Sequence, residues 1–222
     1  MSDSTRSNPN TLEPLRRRNL TLEFLLNRRS ISALVEPGPT QEQLTILLRA
    51  ATTVPDHGCL RPYRFVVVPR DGQDAFGTAL VAAAEEHRPD LPPEAREKIR
   101  KKAFAAPTRI VLIASPRDDG KIPEWEQITS ASCTGYAIVL AALAQGLGAA
   151  WRSSPVVEGR ALSVLFAMRS RERVLGWVNV GSPARALTAE ERRPPDLTAF
   201  VSVLGANGVR QFAPAPVGLG PG

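Results

Sequence analysis

The chain has 222 residues, 28 Lys and Arg against 22 Asp and Glu, a formal charge of +6 and an apolar fraction of 43%. This length and apolarity suit one domain with a substantial core, and no apolar run is expected to approach the ~20 residues of a membrane span. Two cysteines, Cys59 and Cys133, and two histidines, His57 and His87, argue against a disulfide framework, a structural zinc site or a histidine-rich metal centre.

The N-terminus (MSDSTRSNPNTLEP) is polar and has no apolar segment that reads as a secretory signal, so a cytoplasmic protein is expected. The pI of about 10.0 raises nucleic acid as a partner. Acids and bases are interleaved along most of the chain, however, and the one dense basic run, Arg16-Arg17-Arg18, has no aromatic residues beside it. That run reads as a solvated tail rather than a nucleic-acid site. The positive field favours anionic small molecules, phosphorylated cofactors among them.

Residues 1–19 are expected to form a flexible tail, 20–205 one domain, and 206–222, rich in Gly, Pro and Ala, a second flexible tail. Leu22, Leu25 and Leu26 line one face of a first short helix that ends near Arg28-Arg29. Thr40-Gln41-Glu42-Gln43 matches a capping box, with Thr40 as N-cap and Gln43 reaching back. The helix that follows carries Leu44, Leu47, Leu48 and Ala51, and it stops before Pro55. Residues 63–68 read as a buried strand between Pro62 and Pro69.

The spacing of Phe76, Leu80 and Ala84 predicts a helix over 71–88, and Pro93 suits the first turn of another that runs through Phe104. Residues 109–115 (RIVLIAS) predict a strand, and 124–146 a long helix closed by Gly146 and Gly148. Short strands over 149–153 and 173–180 bracket a helix over 156–167, and 199–204 (AFVSVL) reads as a late strand beyond a Pro-rich loop. Without a regular βαβα alternation, this order predicts α+β: a small sheet covered by helices. The late strand can pair within the chain or with a partner subunit.

Five segments then stand together in order: NRRS at 27–30, PGPTQEQL at 37–44, PDHGCLRPYRF at 55–65, AQGLGAAWRS at 144–153 and PPDLTAFV at 194–201. Together they resemble the FMN-dependent nitroreductase family, most closely its short bacterial branch, over about residues 21–204. The resemblance implies a nitroreductase-like α+β sandwich with a mainly antiparallel sheet. It also implies a homodimer with an FMN in each of two interface clefts, and a C-terminal strand exchanged with the partner. The implied activity passes a hydride from NAD(P)H to the flavin and then electrons to a nitroaromatic, quinone or similar small-molecule acceptor.

An FMN phosphate needs fixed cations and donors, which Arg28, Arg29 and Ser30 supply as two planar forks and a hydroxyl. Taken alone, the arginine pair reads rather as the close of a helix, where cations complement the negative end of the helix dipole. By resemblance it binds the phosphate and ribityl chain. The same resemblance brings His57 to the flavin from the partner subunit, as a donor or a stacking group, and gives Thr53 a hydrogen bond to the cofactor. Trp151, Arg152 and Ser153 fall on the family segment that runs along the flavin. The nicotinamide is implied near Ala141, Ala142, Leu143, Ala144, Gln145 and Gly146, although the residues themselves read as a close-packed helix end. Arg185, after a Gly-Ser-Pro turn, either adds charge at the phosphate or is a surface residue.

The 55–65 loop departs from the wider family pattern P-S-x-x-N-x-Q-P-W: Asp56 follows the proline, Cys59 replaces the amide, Arg61 the Gln and Tyr63 the Trp. Cys59 reads as an inert packed thiol, with no activating base at suitable spacing. No acid-base dyad, nucleophile or metal ligand set is assigned, because the cofactor carries the chemistry. Two rival readings stand beside the reductase. One is an FMN-binding carrier or sensor without turnover; the other is a basic nucleic-acid-binding module.

Overall fold

The computed structural model describes residues 22–186 and 195–215. The chain divides into two units, Met1–Thr188 and Ala189–Gly222. The 1–19 tail and the Arg16-Arg17-Arg18 run lie outside the described residues, as do residues 216–222.

Local chemistry accounts for the helices of the first unit. Helix α1 covers residues 22–27. A two-residue strand, β1 (Leu34–Val35), precedes α2 (Gln41–Ala51). The capping box is formed: the Gln43 N–H donates to Thr40 Oγ1 at 3.2 Å, and the Thr40 N–H donates to Gln43 Oε1 at 2.9 Å. Helix α3 (Gln73–His87) buries Phe76, Leu80 and Ala84, the face their spacing predicts. Helix α4 (Pro93–Lys101) holds Pro93 in its first turn, and a 3-10 turn continues to Phe104.

Strands β2 (Tyr63–Val68), β3 (Thr108–Ala114), β4 (Gly148–Arg152) and β5 (Arg173–Pro183) join β1 in one antiparallel sheet. Its order is β1-β5-β3-β2, with β4 also on β5. Strand β3 is buried on both faces, and alternation sends its side chains to two separate cores. Val111 and Ile113 join Phe76 and Leu80 of α3, together with Leu162, on one face. Ile110 and Leu112 join Leu47 and Ala51 of α2 on the other. The fold is therefore α+β, a small antiparallel sheet flanked by helices, as expected. Strand β2 corrects the expectation of a buried strand. Among the described residues it pairs only with β3, and Val68 alone of its own residues is buried.

Helix α5 (Glu124–Ala144) spans 21 residues and is long and apolar enough to cross a membrane, contrary to the expectation from sequence. In this fold it is a core helix, with Ile138, Val139 and Ala142 packed among Leu47, Leu112 and Val178. It closes with the Leu147 N–H on Ala142 O at 2.9 Å and the Gly146 N–H on Leu143 O at 3.0 Å. Helix α6 (Arg160–Leu165) is shorter than the predicted 156–167. Its start is set by tertiary structure: Glu86 of α3 accepts the N–H groups of Arg160 at 2.7 Å and Ala161 at 3.0 Å. Those two bonds hold the Glu86 carboxyl below its ordinary pKa.

Arg109, on β3, is fully buried. Its guanidinium donates to Lys102 O at 3.0 Å and Ala106 O at 3.4 Å, and it lies 5.8 Å from the Phe76 ring centre. Burial lowers its pKa to about 10.

In the second unit, Asp196 caps a 3-10 turn (Leu197–Ala199) by accepting the Thr198 N–H at 2.9 Å. A hairpin of β6 (Ser202–Gly205) and β7 (Gly208–Gln211) follows. The late strand thus starts later than the predicted 199–204 and pairs within the chain. Strand β7 lies inside the segment expected to be a flexible tail, which corrects that expectation for residues 208–211.

Candidate functional site

After α1 the chain runs extended beside β4. The Ile31 N–H donates to Ala149 O at 2.8 Å, so the segment that follows the arginine pair lies against this strand. At the strand end, Arg152 Nη2 donates to Ser32 Oγ at 2.5 Å. On the other side, the Arg28 guanidinium lies 5.5 Å from the ring centre of Tyr136 on α5, a cation–π contact. Residues 28–32, the end of β4 and the middle of α5 therefore meet. Arg28 is half-buried, while Arg29, Ser30, Ser32, Arg152 and Ser153 are exposed. Among the described residues, no carboxylate pairs with the guanidinium of Arg28 or Arg152.

Trp151 stands at this junction, 37% exposed, with its Nε1–H donated to Leu175 O at 3.3 Å. Two glycines seat the indole. A Cβ on Gly135 of α5 would lie 2.9 Å from Trp151 Cε3 and 2.6 Å from Leu112 Cδ1, so only glycine lets the helix pack this close. Gly176 has φ +115°, and a Cβ there would lie 2.3 Å from Arg152 O. Arg185 follows β5, and the neighbouring Ala184 N–H donates to Ala33 O at 2.9 Å. That bond places Arg185 beside the chain that follows Ser32.

His57 begins a 3-10 turn (His57–Cys59) that meets the first turn of α5, where its Nδ1 lies 2.8 Å from Glu126 Oε1. A carboxylate only accepts, so Nδ1 carries the proton and Nε2 is left for a further partner. Nearby, Ser130 Oγ donates to Pro55 O at 2.7 Å, and the Arg61 N–H donates to Asp56 Oδ2 at 2.7 Å. These bonds hold a loop in which Cys59 (φ 54°) and Arg61 (φ 48°) adopt left-handed backbone, which costs about 1–3 kcal/mol per non-glycine residue. Cys59 is exposed, which corrects the packed thiol expected from sequence. Thr53 Oγ1 donates to Ala50 O at 2.9 Å and so closes the end of α2.

The remaining candidates sit at the C-terminal end of α5. Ala142 is buried in the core, Ala141, Leu143 and Gln145 are half-buried, and Ala144 and Gly146 are exposed. Gln145 Nε2 donates to Ala141 O at 3.3 Å and Gln43 O at 3.5 Å, tying the helix end to α2. Glu126 and Tyr136 lie roughly 15 Å apart along the helix, from its 1.5 Å rise per residue, and Gly146 lies past its far end. One chain thus brings together Arg28, Ser32, Tyr136, Trp151 and Arg152, but not His57 or the 141–146 segment with them. Sequence reasoning passed over Ser32, Tyr136, Glu126, Gly135 and Gly176. Two of these did leave a signal: a lone glycine inside a helical run and another inside a strand run mark close backbone approach.

Residues 25–182 match the family model described as the nitroreductase family. The Escherichia coli strain K12 protein named "Putative NAD(P)H nitroreductase YdjA" is 37% identical over 181 residues, covering 82% of this chain and 97% of that protein. A nitroreductase-like family protein from Bacillus cereus has the same fold with a TM-score of 0.68, at 18% identity, over 91% of this chain and 98% of that one. A Desulfovibrio desulfuricans structure described as "a putative nitroreductase in complex with fmn" has a TM-score of 0.56, at 21% identity, over 85% and 93% of the two chains.

Proposed function

We propose, for a chain that belongs to the nitroreductase family, that it is an FMN-dependent oxidoreductase using NAD(P)H, with its flavin held where residues 28–32, β4 and α5 meet. The observation that carries this reading is the donor set at that junction. Arg28 and Arg152 have no carboxylate partner among the described residues, and Ser32 and a half-exposed indole stand beside them. Cationic forks that no described carboxylate neutralises suit a dianionic phosphate. The residues present therefore fit FMN.

Arg28, Arg29, Ser30 and Arg152 would hold the phosphate and ribityl hydroxyls, and Trp151 and Ser153 would border the ring. When bound, the cofactor supplies acceptance of a hydride from NAD(P)H and reduction of a small-molecule acceptor such as a nitroaromatic or quinone. The chain's own work is to bind, orient and shield. His57, roughly 15 Å along α5 from Tyr136, would serve the cleft of a second subunit, with Glu126 fixing its ring. Exposed apolar side chains support a homodimer: Leu22, Leu25 and Leu26 on α1, and Trp125 and Tyr136 on α5. Residues 141–146 would border the nicotinamide through their exposed members, Ala144 and Gly146. The cytoplasm is the compartment we assign.

The test is the absorbance spectrum of the purified chain with FMN, before and after anaerobic NADH and then NADPH. The expected result is a bound flavin that bleaches. A chain that stays colourless after FMN addition overturns the reading. A bound flavin that neither nucleotide bleaches replaces it with a carrier or sensor.

A further inference from the structure

A second cationic site lies outside the flavin junction. A cleft of about 340 Å³ opens where the ends of β2, β3 and the turn before β5 meet, large enough for a small organic anion. Its wall holds five arginines, Arg61, Arg64, Arg117, Arg169 and Arg171, against one carboxylate, Glu172. That carboxylate is already saturated. It accepts Arg64 Nε at 2.8 Å and Nη2 at 2.7 Å, Ser115 Oγ at 2.8 Å and the Arg169 N–H at 2.9 Å. Arg171 is paired outside the cleft, with Glu124 at 3.1 Å.

Three guanidiniums remain, on Arg61, Arg117 and Arg169, and among the described residues none meets a carboxylate. Each of these residues has its backbone pinned by a side chain from another part of the fold or turn. The Arg61 N–H donates to Asp56 Oδ2 at 2.7 Å, the Arg117 N–H to the buried Gln127 at 2.8 Å, and the Arg169 N–H to Glu172 at 2.9 Å. Arg61 also holds a left-handed backbone, φ 48°. Like charges on one cleft wall repel one another, and the pinned backbones keep all three residues at that wall. A bound oxyanion relieves that repulsion and accepts several charge-assisted hydrogen bonds.

We propose that this cleft is an oxyanion subsite in which Arg61, Arg117 and Arg169 bind the phosphate or carboxylate group of a small molecule. Arg61 is four residues from His57 in the same loop. On the flavin reading above, the subsite would therefore sort substrates by charge, while its binding of an anion does not depend on that reading.

The experiment is calorimetric titration of the full chain with inorganic phosphate, against chloride at matched ionic strength. Saturable binding is expected, weakened ~10-fold or more in Arg61→Gln/Arg169→Gln, partly kept in Arg61→Lys/Arg169→Lys, and kept in Arg152→Gln. Phosphate binding no stronger than that of chloride overturns the proposal. So does binding that survives Arg61→Gln/Arg169→Gln and falls in Arg152→Gln. Arg117→Gln serves as an independent probe if the double variant melts early. FMN binding is measured separately, so the phosphate titration decides for or against the subsite even in a chain that takes up no flavin. In turnover, a KM raised for NADPH but not NADH assigns the oxyanion to the donor's phosphate. A KM raised for 4-nitrobenzoate but not nitrobenzene assigns it to the acceptor. Unchanged KM values with phosphate binding lost leave free phosphate as the ligand.

Discussion

Replacing Glu172 by Gln should make the chain's stability respond to acid in a different way. The Glu172 side chain is 2% exposed and accepts both forks of Arg64, the Ser115 hydroxyl and the Arg169 N–H. The Arg64 hydrogen bonds, chiefly, lower its pKa from 4.5 to about 2. A carboxyl depressed on folding stabilises the native state above its unfolded pKa, and that contribution is lost as pH falls through the folded value. A shift of this size corresponds to about 3 kcal/mol at pH 7, about 1.4 at pH 3 and about 0.4 at pH 2, from 1.36 kcal/mol per unit. Arg64 is a quarter exposed, and solvent screening on its side brings the neutral-pH figure nearer 2 kcal/mol. Urea unfolding of wild type and Glu172→Gln at pH 7, 5, 4 and 3 measures it. The gap between the two proteins should be widest at pH 7 and 5 and narrow steadily below pH 4.5. A gap under about 0.5 kcal/mol at pH 7, or one of constant size across the series, would refute the reasoning.

Three further outcomes are expected. Arg152→Gln should weaken FMN binding by roughly 10- to 100-fold with an unchanged melting temperature, checked by flavin fluorescence titration. Gly135→Ala places a methyl 2.6 Å from Leu112 Cδ1 and 2.9 Å from Trp151; about 1–3 kcal/mol of stability should be lost, with a shift in tryptophan emission as the indole is displaced. Thr40→Ala removes the acceptor of the Gln43 N–H and should cost about 1 kcal/mol by urea unfolding, leaving FMN affinity unaltered.

Much of the chain's local organisation could be read without the fold, because those signals are carried by near neighbours. Thr40 and Gln43 are three residues apart and mark the start of α2 by themselves. Phe76, Leu80 and Ala84 define one helical stripe, and the apolar run of β3 declares a strand. The arginine pair and Trp151-Arg152-Ser153 were both visible as candidates, yet nothing in their spacing said that they meet. Ser32 and Arg152 are 120 residues apart in the chain, and Arg64 and Glu172 are 108 apart. Their contacts exist because β5 pairs with both β3 and β4, which draws the distant segments to common edges. Tertiary pairing also made β2 an edge strand, turned an apolar 21-residue helix into a core element, and left Arg61, Arg117 and Arg169 facing one cleft. Periodicity and capping act over one or two turns of chain, so sequence alone determined most of the elements, though not where α6 and β6 begin. Which side chains share a site depends on strand partners and burial across the whole domain, and only the folded structure decided that.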